Sequence, residues 1–129
     1  MIEVKALLKK GIMIEAYNSW NKKFNVPVKG VGTIPDSFQL VPDARALIPT
    51  GITLNVPAGH LVKLFAARDA VLLKGLTIAG GVQIVKPGEE GQLYLIVRNV
   101  TDSLVVISNG DILAEGFLEK TIDKDVVVV

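Results

Sequence analysis

The chain has 129 residues, a formal net charge of +1, half of its residues hydrophobic and 5% aromatic. It is long enough to bury one core without staples, and it lacks cysteine, which excludes disulfides, thiolate catalysis and cysteine-bound zinc. One histidine, His60, excludes a histidine-rich metal site within one subunit, and lysine and arginine cluster only as Lys9-Lys10 and Lys22-Lys23, so binding of extended nucleic acid is not expected.

No apolar run approaches a bilayer span. Met1-Ile2-Glu3-Val4-Lys5 lacks the charged-then-apolar order of a signal peptide. The expectation is a soluble cytoplasmic protein with no membrane partner, in which the sequon Asn99-Val100-Thr101 goes unused.

Taken in order, Ile2 to Leu8 alternates like an edge strand, and a second short strand follows over Ile12 to Ala16. Tyr17 to Asn25, with Trp20 and Phe24 four apart, fits one or two helical turns or a loop pinned by these aromatics. Val26 to Pro35 holds Pro27, Gly30, Gly32 and Pro35 and reads as an extended surface arm. From Phe38 strands become dense: Phe38 to Val41, Ala44 to Ile48 and Ile52 to Val56, divided by Pro42-Asp43, by Pro49-Thr50-Gly51 and, after the last, by a Pro57-Ala58-Gly59 turn. Leu61 to Ala67 reads as a strand buried on both faces. Two short strands then lie within Leu76 to Val85 around Gly80-Gly81, and Pro87 to Gly91 connects to Leu93 to Asn99. Leu104 to Ile107, an Asn109-Gly110-Asp111 hairpin turn and Ile112 to Leu118 close the pattern.

About ten short strands without a helix of ordinary length predict an all-β jelly roll or β-sandwich. The expected organisation is one domain, with an N-terminal strand and irregular arm over 1–36, a β core over 37–118 and a tail over 119–129. Val126 to Val129 forms an apolar tail that needs a pairing partner.

Three stretches carry a resemblance. Leu61 to Leu76 reads as an apolar strand ending in Arg68, a short coil or helical turn, and a releasing Gly75; Ile48-Pro49-Thr50-Gly51-Ile52 precedes it and Gly110-Asp111-Ile112-Leu113-Ala114-Glu115 follows. Over roughly residues 40 to 118 the chain resembles the dUTPase and dCTP-deaminase superfamily. That resemblance implies a homotrimeric jelly roll, intersubunit sites for a nucleoside triphosphate with magnesium, and C-terminal segments that cross to a neighbour. It makes a swapped strand the leading reading of the valine tail, with pairing inside its own chain the alternative.

Position by position, the resemblance keeps the frame and changes the chemistry. The first motif should fall near Val28-Lys29-Gly30-Val31-Gly32, where no acid stands; Asp36 is the nearest carboxylate. In the second, Arg68 matches and Lys74-Gly75 keeps the register, but Asp69 replaces a serine and opposes phosphate. Arg68 either grips phosphate or pairs with Asp69 or with an acid of a neighbouring subunit. The third motif retains Pro87, Gly88 and Gly91 but puts Lys86 at the catalytic aspartate, and an ammonium cannot take a proton from water. The sugar-stacking tyrosine is missing, and Glu89 and Glu90 are read as solvated loop residues. Ile52 stands where a deaminase needs glutamate. The fourth motif, Gly110-Asp111-Ile112-Leu113-Ala114-Glu115, differs by glutamate for glutamine, and the fifth, a glycine-rich lid, has no counterpart in Thr121 to Asp125. His60 is read as a surface or interface residue and Trp20 as a core or interface anchor.

Three functions follow. The first is a non-catalytic homotrimer for binding or assembly, a viral accessory or particle-decorating protein with a protein partner or viral particle, and without a cofactor. The second is a divergent magnesium-dependent dUTP diphosphatase using Glu89, Glu90 or Asp36. The third is a nucleotide-sequestering protein in which Arg68, Lys74 and Lys86 hold the phosphates.

Overall fold

The computed structural model describes residues 5–8, 23–31, 37–89 and 91–121. Within them lie β1 (Lys5–Leu8), β2 (Lys23–Pro27), β3 (Ser37–Leu40), β4 (Arg45–Asn55), β5 (His60–Ala66), α1 (Arg68–Lys74), β6 (Leu76–Ile78), β7 (Gln83–Val85), β8 (Gln92–Asn99), β9 (Val105–Ser108) and β10 (Ile112–Lys120). One four-stranded sheet has the order β1-β4-β8-β6, a second β2-β10-β5-β7, and β3 pairs with β9 alone. Every pairing among the described residues is antiparallel. This is the expected jelly roll.

Period-two alternation builds the core. Along β8, Leu93, Leu95, Val97 and Asn99 turn inward while Tyr94, Ile96 and Arg98 turn out. Ile48, Ile52 and Leu54 of β4 join them, and Phe24, Val26, Val62, Leu64 and Leu118 complete the core from the other sheet. Each such burial is worth about 1.5–3 kcal/mol before conformational entropy is charged. Gly116 of β10 sits opposite Phe24 in register, and a Cβ there would fall 2.3 Å from that buried ring.

Five expectations need correction. Val26 to Pro35 is not a surface arm throughout: Phe24, Val26 and Val28 are fully buried, because their alternation lays β2 against β10. For the same reason Lys23 to Asn25 is strand, neither helical turn nor loop. Pro49-Thr50-Gly51 does not divide two strands. β4 runs through it on a bulge, where the Thr50 hydroxyl donates to Leu93 O at 2.6 Å and accepts from Ile52 N at 3.2 Å, replacing missing ladder bonds. β5 is buried on one face only, with Phe65 exposed and edge-on to Phe117.

The fifth concerns Asn109-Gly110-Asp111. It is no hairpin: β9 pairs with β3 and β10 with β2 and β5, so the turn carries the chain from one sheet to another. The expected strand over Ile12 to Ala16, Trp20 and the tail Val126 to Val129 lie outside the described residues.

Candidate functional site

Local chemistry fastens the turn Ser108 to Asp111, the stretch that the resemblance takes as its fourth motif. Asp111 accepts from Ser108 N at 2.8 Å and from Lys74 Nζ at 2.6 Å through the same carboxylate oxygen. Lys74 also donates to Val106 O at 3.2 Å. Asn109 Oδ1 accepts from Gly30 N at 2.8 Å and Val31 N at 3.1 Å, while Val28 N donates to Asp111 O at 2.9 Å and Gly110 N donates to Val28 O at 2.8 Å. The turn therefore fastens α1 and the first-motif stretch to β10. Gly110 has φ 92°, which glycine adopts without strain.

Lys74, expected among the phosphate ligands, is thus engaged by Asp111, and it lines a different groove from Arg68, one bounded by Val71, Leu72, Leu104 and Val106. Gly75 ends α1 with φ 65°, and a Cβ there would meet Thr101 Cγ2 at 2.0 Å.

Arg68 opens α1 and, with Asn25, Ala67, Asp69, Ile112 and Glu115, lines a groove of about 390 Å³. Arg68 and Asp69 are exposed, and among the described residues neither side chain has a hydrogen-bond or ion-pair partner, so the pairing of the two with each other is not made. Glu115 pairs with Lys23 at 3.1 Å across β10 and β2. The groove therefore presents two carboxylates beside one guanidinium and one ammonium. Lys23 and Asn25 escaped the sequence reading. Had the alternation of Phe24, Val26 and Val28 been recognised as a strand, they would have fallen together on its outer face.

The third-motif remnant lies elsewhere. Lys86 follows β7, exposed, with no hydrogen-bond or ion-pair partner for its ammonium among the described residues. Gly88 and Gly91 take φ 83° and 104° in the turn that Pro87 begins. Glu89 closes that turn, its N–H donating to Lys86 O at 3.3 Å and its carboxylate accepting from Lys86 N at 3.2 Å. One oxygen of its carboxylate is thus engaged by the backbone. Glu90 and Asp36 lie outside the described residues.

The β5–β7 register pairs Val62 with Val85 and Lys63 with Ile84, so Lys86 continues toward Leu61, whereas Arg68 follows Ala66 at the opposite end of β5. At the rise of a strand that separation is roughly 20 Å. One chain brings Arg68, Asp69 and Glu115 together and leaves Lys86 apart.

His60 Nδ1 lies 2.8 Å from Ala58 O, and its Nε2 is enclosed without a partner among the described residues. Asn99 is fully buried; its amide donates to Leu40 O and Ser103 O and its oxygen accepts from Thr101, so the sequon cannot be reached in the folded chain. Among the described residues no three acidic, histidine or cysteine side chains converge as metal ligands, and no helix is long and apolar enough to cross a membrane.

No family model matches the chain. Among curated proteins it is similar to deoxyuridine 5'-triphosphate nucleotidohydrolases: that of Lactococcus lactis at 28% identity, covering 63% of this chain and 58% of the relative; that of Roseobacter denitrificans at 29%, covering 59% and 50%; and that of Caulobacter vibrioides at 24%, covering 79% and 74%. The chain thus spans only 58% and 50% of the length of the first two. Solved structures with the same fold include the dUTPase of Streptococcus mutans, TM-score 0.73 at 20% identity over 93% of this chain and 98% of that one. A variant of the dUTPase of S. aureus phage phi11, described with a structural Mg(II) ion, has TM-score 0.77 at 17% identity over 98% and 96%. A variant of the Staphylococcus bacteriophage 80alpha dUTPase with dUpNHpp has TM-score 0.80 at 15% identity over 98% and 90%.

Proposed function

We propose, for a chain that is a member of the dUTPase-like superfamily, that it is a non-catalytic homotrimer used for binding or assembly. The observation that carries this reading is Lys86: an exposed ammonium follows β7 where the resembling enzymes place their general base. A protonated amine has no lone pair with which to activate water. Asp69 and Glu115 support the same reading, because both put negative charge in the groove that Arg68 would need for phosphate. Fold and chemistry are separable, and here the fold is kept.

The proposal includes a cytoplasmic location and a protein or particle as partner. The presence of bacteriophage dUTPases among the structural neighbours favours a viral accessory role. The test is direct. Purified protein incubated with dUTP or dCTP and magnesium should release no pyrophosphate; release above a buffer control overturns the reading.

A second reading, a divergent dUTP diphosphatase, is favoured by the curated relatives, all of that activity by name. It would need a carboxylate from Glu89, Glu90 or Asp36, the first of which has one oxygen accepting from its own turn. Turnover abolished by Glu90→Gln or Asp36→Asn would establish it. Nucleotide sequestration by Arg68, Lys74 and Lys86 is the weaker variant, because Lys74 is bonded to Asp111; calorimetric titration with a nucleotide panel decides it, and absence of heat discards it.

A further inference from the structure

We infer that the groove between α1 and β9 docks an extended segment of a partner protein, which adds as a strand to the outer edge of β9 and sets aliphatic side chains against α1. This groove, of about 620 Å³, is separate from that of Arg68. The inference holds whether or not the chain turns over nucleotide.

Two surfaces meet there. The seven-residue α1 buries Ala70 and leaves Val71, Leu72 and Leu73 turned out, the two leucines 67% and 75% exposed. Across the groove Leu104 and Val106 are half exposed. Five such side chains along one groove form a patch on the order of a few hundred Å², a size that on a single folded chain marks an interaction surface. It falls short of the roughly 800 Å² per partner that a stable pair of folded subunits buries, so it suits a short segment better than a second copy of the chain.

The backbone of β9 sets the conformation of that segment. β9 pairs with β3 on one side, and no strand lies on its other side among the described residues. Two bonds identify the open edge: Val106 O accepts from Lys74 Nζ at 3.2 Å, and Ser108 N donates to Asp111 Oδ2 at 2.8 Å. In an antiparallel strand the N–H and C=O of one residue face the same edge, so the Val106 N–H opens into the groove beside its carbonyl. β8 shows such an edge filled: beyond the end of β6, Gln83 Nε2 donates to Tyr94 O at 2.6 Å and Gln83 Oε1 accepts from Ile96 N at 3.2 Å. No side chain among the described residues does this for the Val106 N–H.

An extended peptide supplies the acceptor and turns alternate side chains to one face, which is the geometry of strand addition. Lys74 holds the Val106 carbonyl from a flexible side chain that an incoming N–H displaces. Charge sets the flank of the segment. Lys74 is neutralised by Asp111, whereas Asp102, between the groove residues Thr101 and Ser103, is exposed without a cation among the described residues. The segment therefore alternates aliphatic residues and carries a lysine or arginine at the end that meets Asp102.

A displayed library of random octapeptides, panned against the wild-type chain and in parallel against Leu72→Asp and Leu73→Asp, tests this. Both leucines are exposed, so the variants keep the fold, which thermal melts check. Peptides with aliphatics at every second position and a basic flank should be enriched about tenfold or more on the wild type over the variants. Equal enrichment on all three chains, or selected aliphatics at helical three- and four-residue spacing, overturns the inference. In an NMR titration with one selected peptide the Val106 amide should shift, and a central proline, which removes a donor, should weaken binding about tenfold. Binding indifferent to that proline contradicts strand addition. If Leu73→Asp dissociates an oligomer that the wild type forms in sedimentation, the groove is a contact between copies and the proposal fails.

Discussion

The turn Ser108 to Asp111, between β9 and β10, and the Arg68 groove, walled by α1, β2 and β10, lie close in the fold yet differ in how their side chains are engaged. In the turn, Asp111 and Asn109 hold named partners, and Lys74 ties it to α1. In the groove Arg68 and Asp69 stand in solvent without a partner among the described residues. Residues that join elements are engaged by side-chain and backbone bonds, while the exposed charges of the groove are left open to solvent. Resemblance in the first region therefore reports architecture and carries little information about chemistry in the second.

The contrast makes graded predictions, each checked by equilibrium chemical denaturation. Gly75→Ala should cost the most, about 3 kcal/mol, because a left-handed residue gains a Cβ against Thr101. Pairing it with Thr101→Ser removes the obstructing methyl, keeps the hydroxyl bonded to Asn99, and should recover part of the loss. Asp111→Ala should cost about 2 kcal/mol, mostly from the orphaned Ser108 N–H, with the partly exposed Lys74 pair contributing less. Asn109→Ala should cost about 1 kcal/mol by stripping the acceptor from Gly30 N and Val31 N. Arg68→Ala and Asp69→Ala should stay within about 0.5 kcal/mol in the monomer. Reversal of this order, with groove variants costlier than turn variants, would break the division between joint and site.

Much of the fold was legible because burial follows period two. Leu93, Leu95 and Val97 announce β8, and the Pro57-Ala58-Gly59 turn announces β5. The reading failed where punctuation residues do unusual work. Pro49 and Gly51 signal a break, but a bulge stitched by the Thr50 hydroxyl absorbs them. Pro27 and Gly30 hid β2 behind apparent irregularity, and with it the Asn25 side of the groove and the Lys23 partner of Glu115. Asn109-Gly110 has hairpin chemistry, yet which strands flank a turn in space is decided by long-range pairing that local sequence does not encode. At the site, Arg68, Asp69 and Lys86 were legible by type and motif position. Their separation at opposite ends of β5 was not, because it depends on the β5–β7 register.

The most direct test of a fold retained without its reaction is a single-turnover experiment, with protein in molar excess over labelled dUTP and magnesium present. Intact dUTP after many hours, at the level of a protein-free control, is the predicted result. Appearance of dUMP and pyrophosphate in step with protein concentration, and lost on Arg68→Ala, would contradict it.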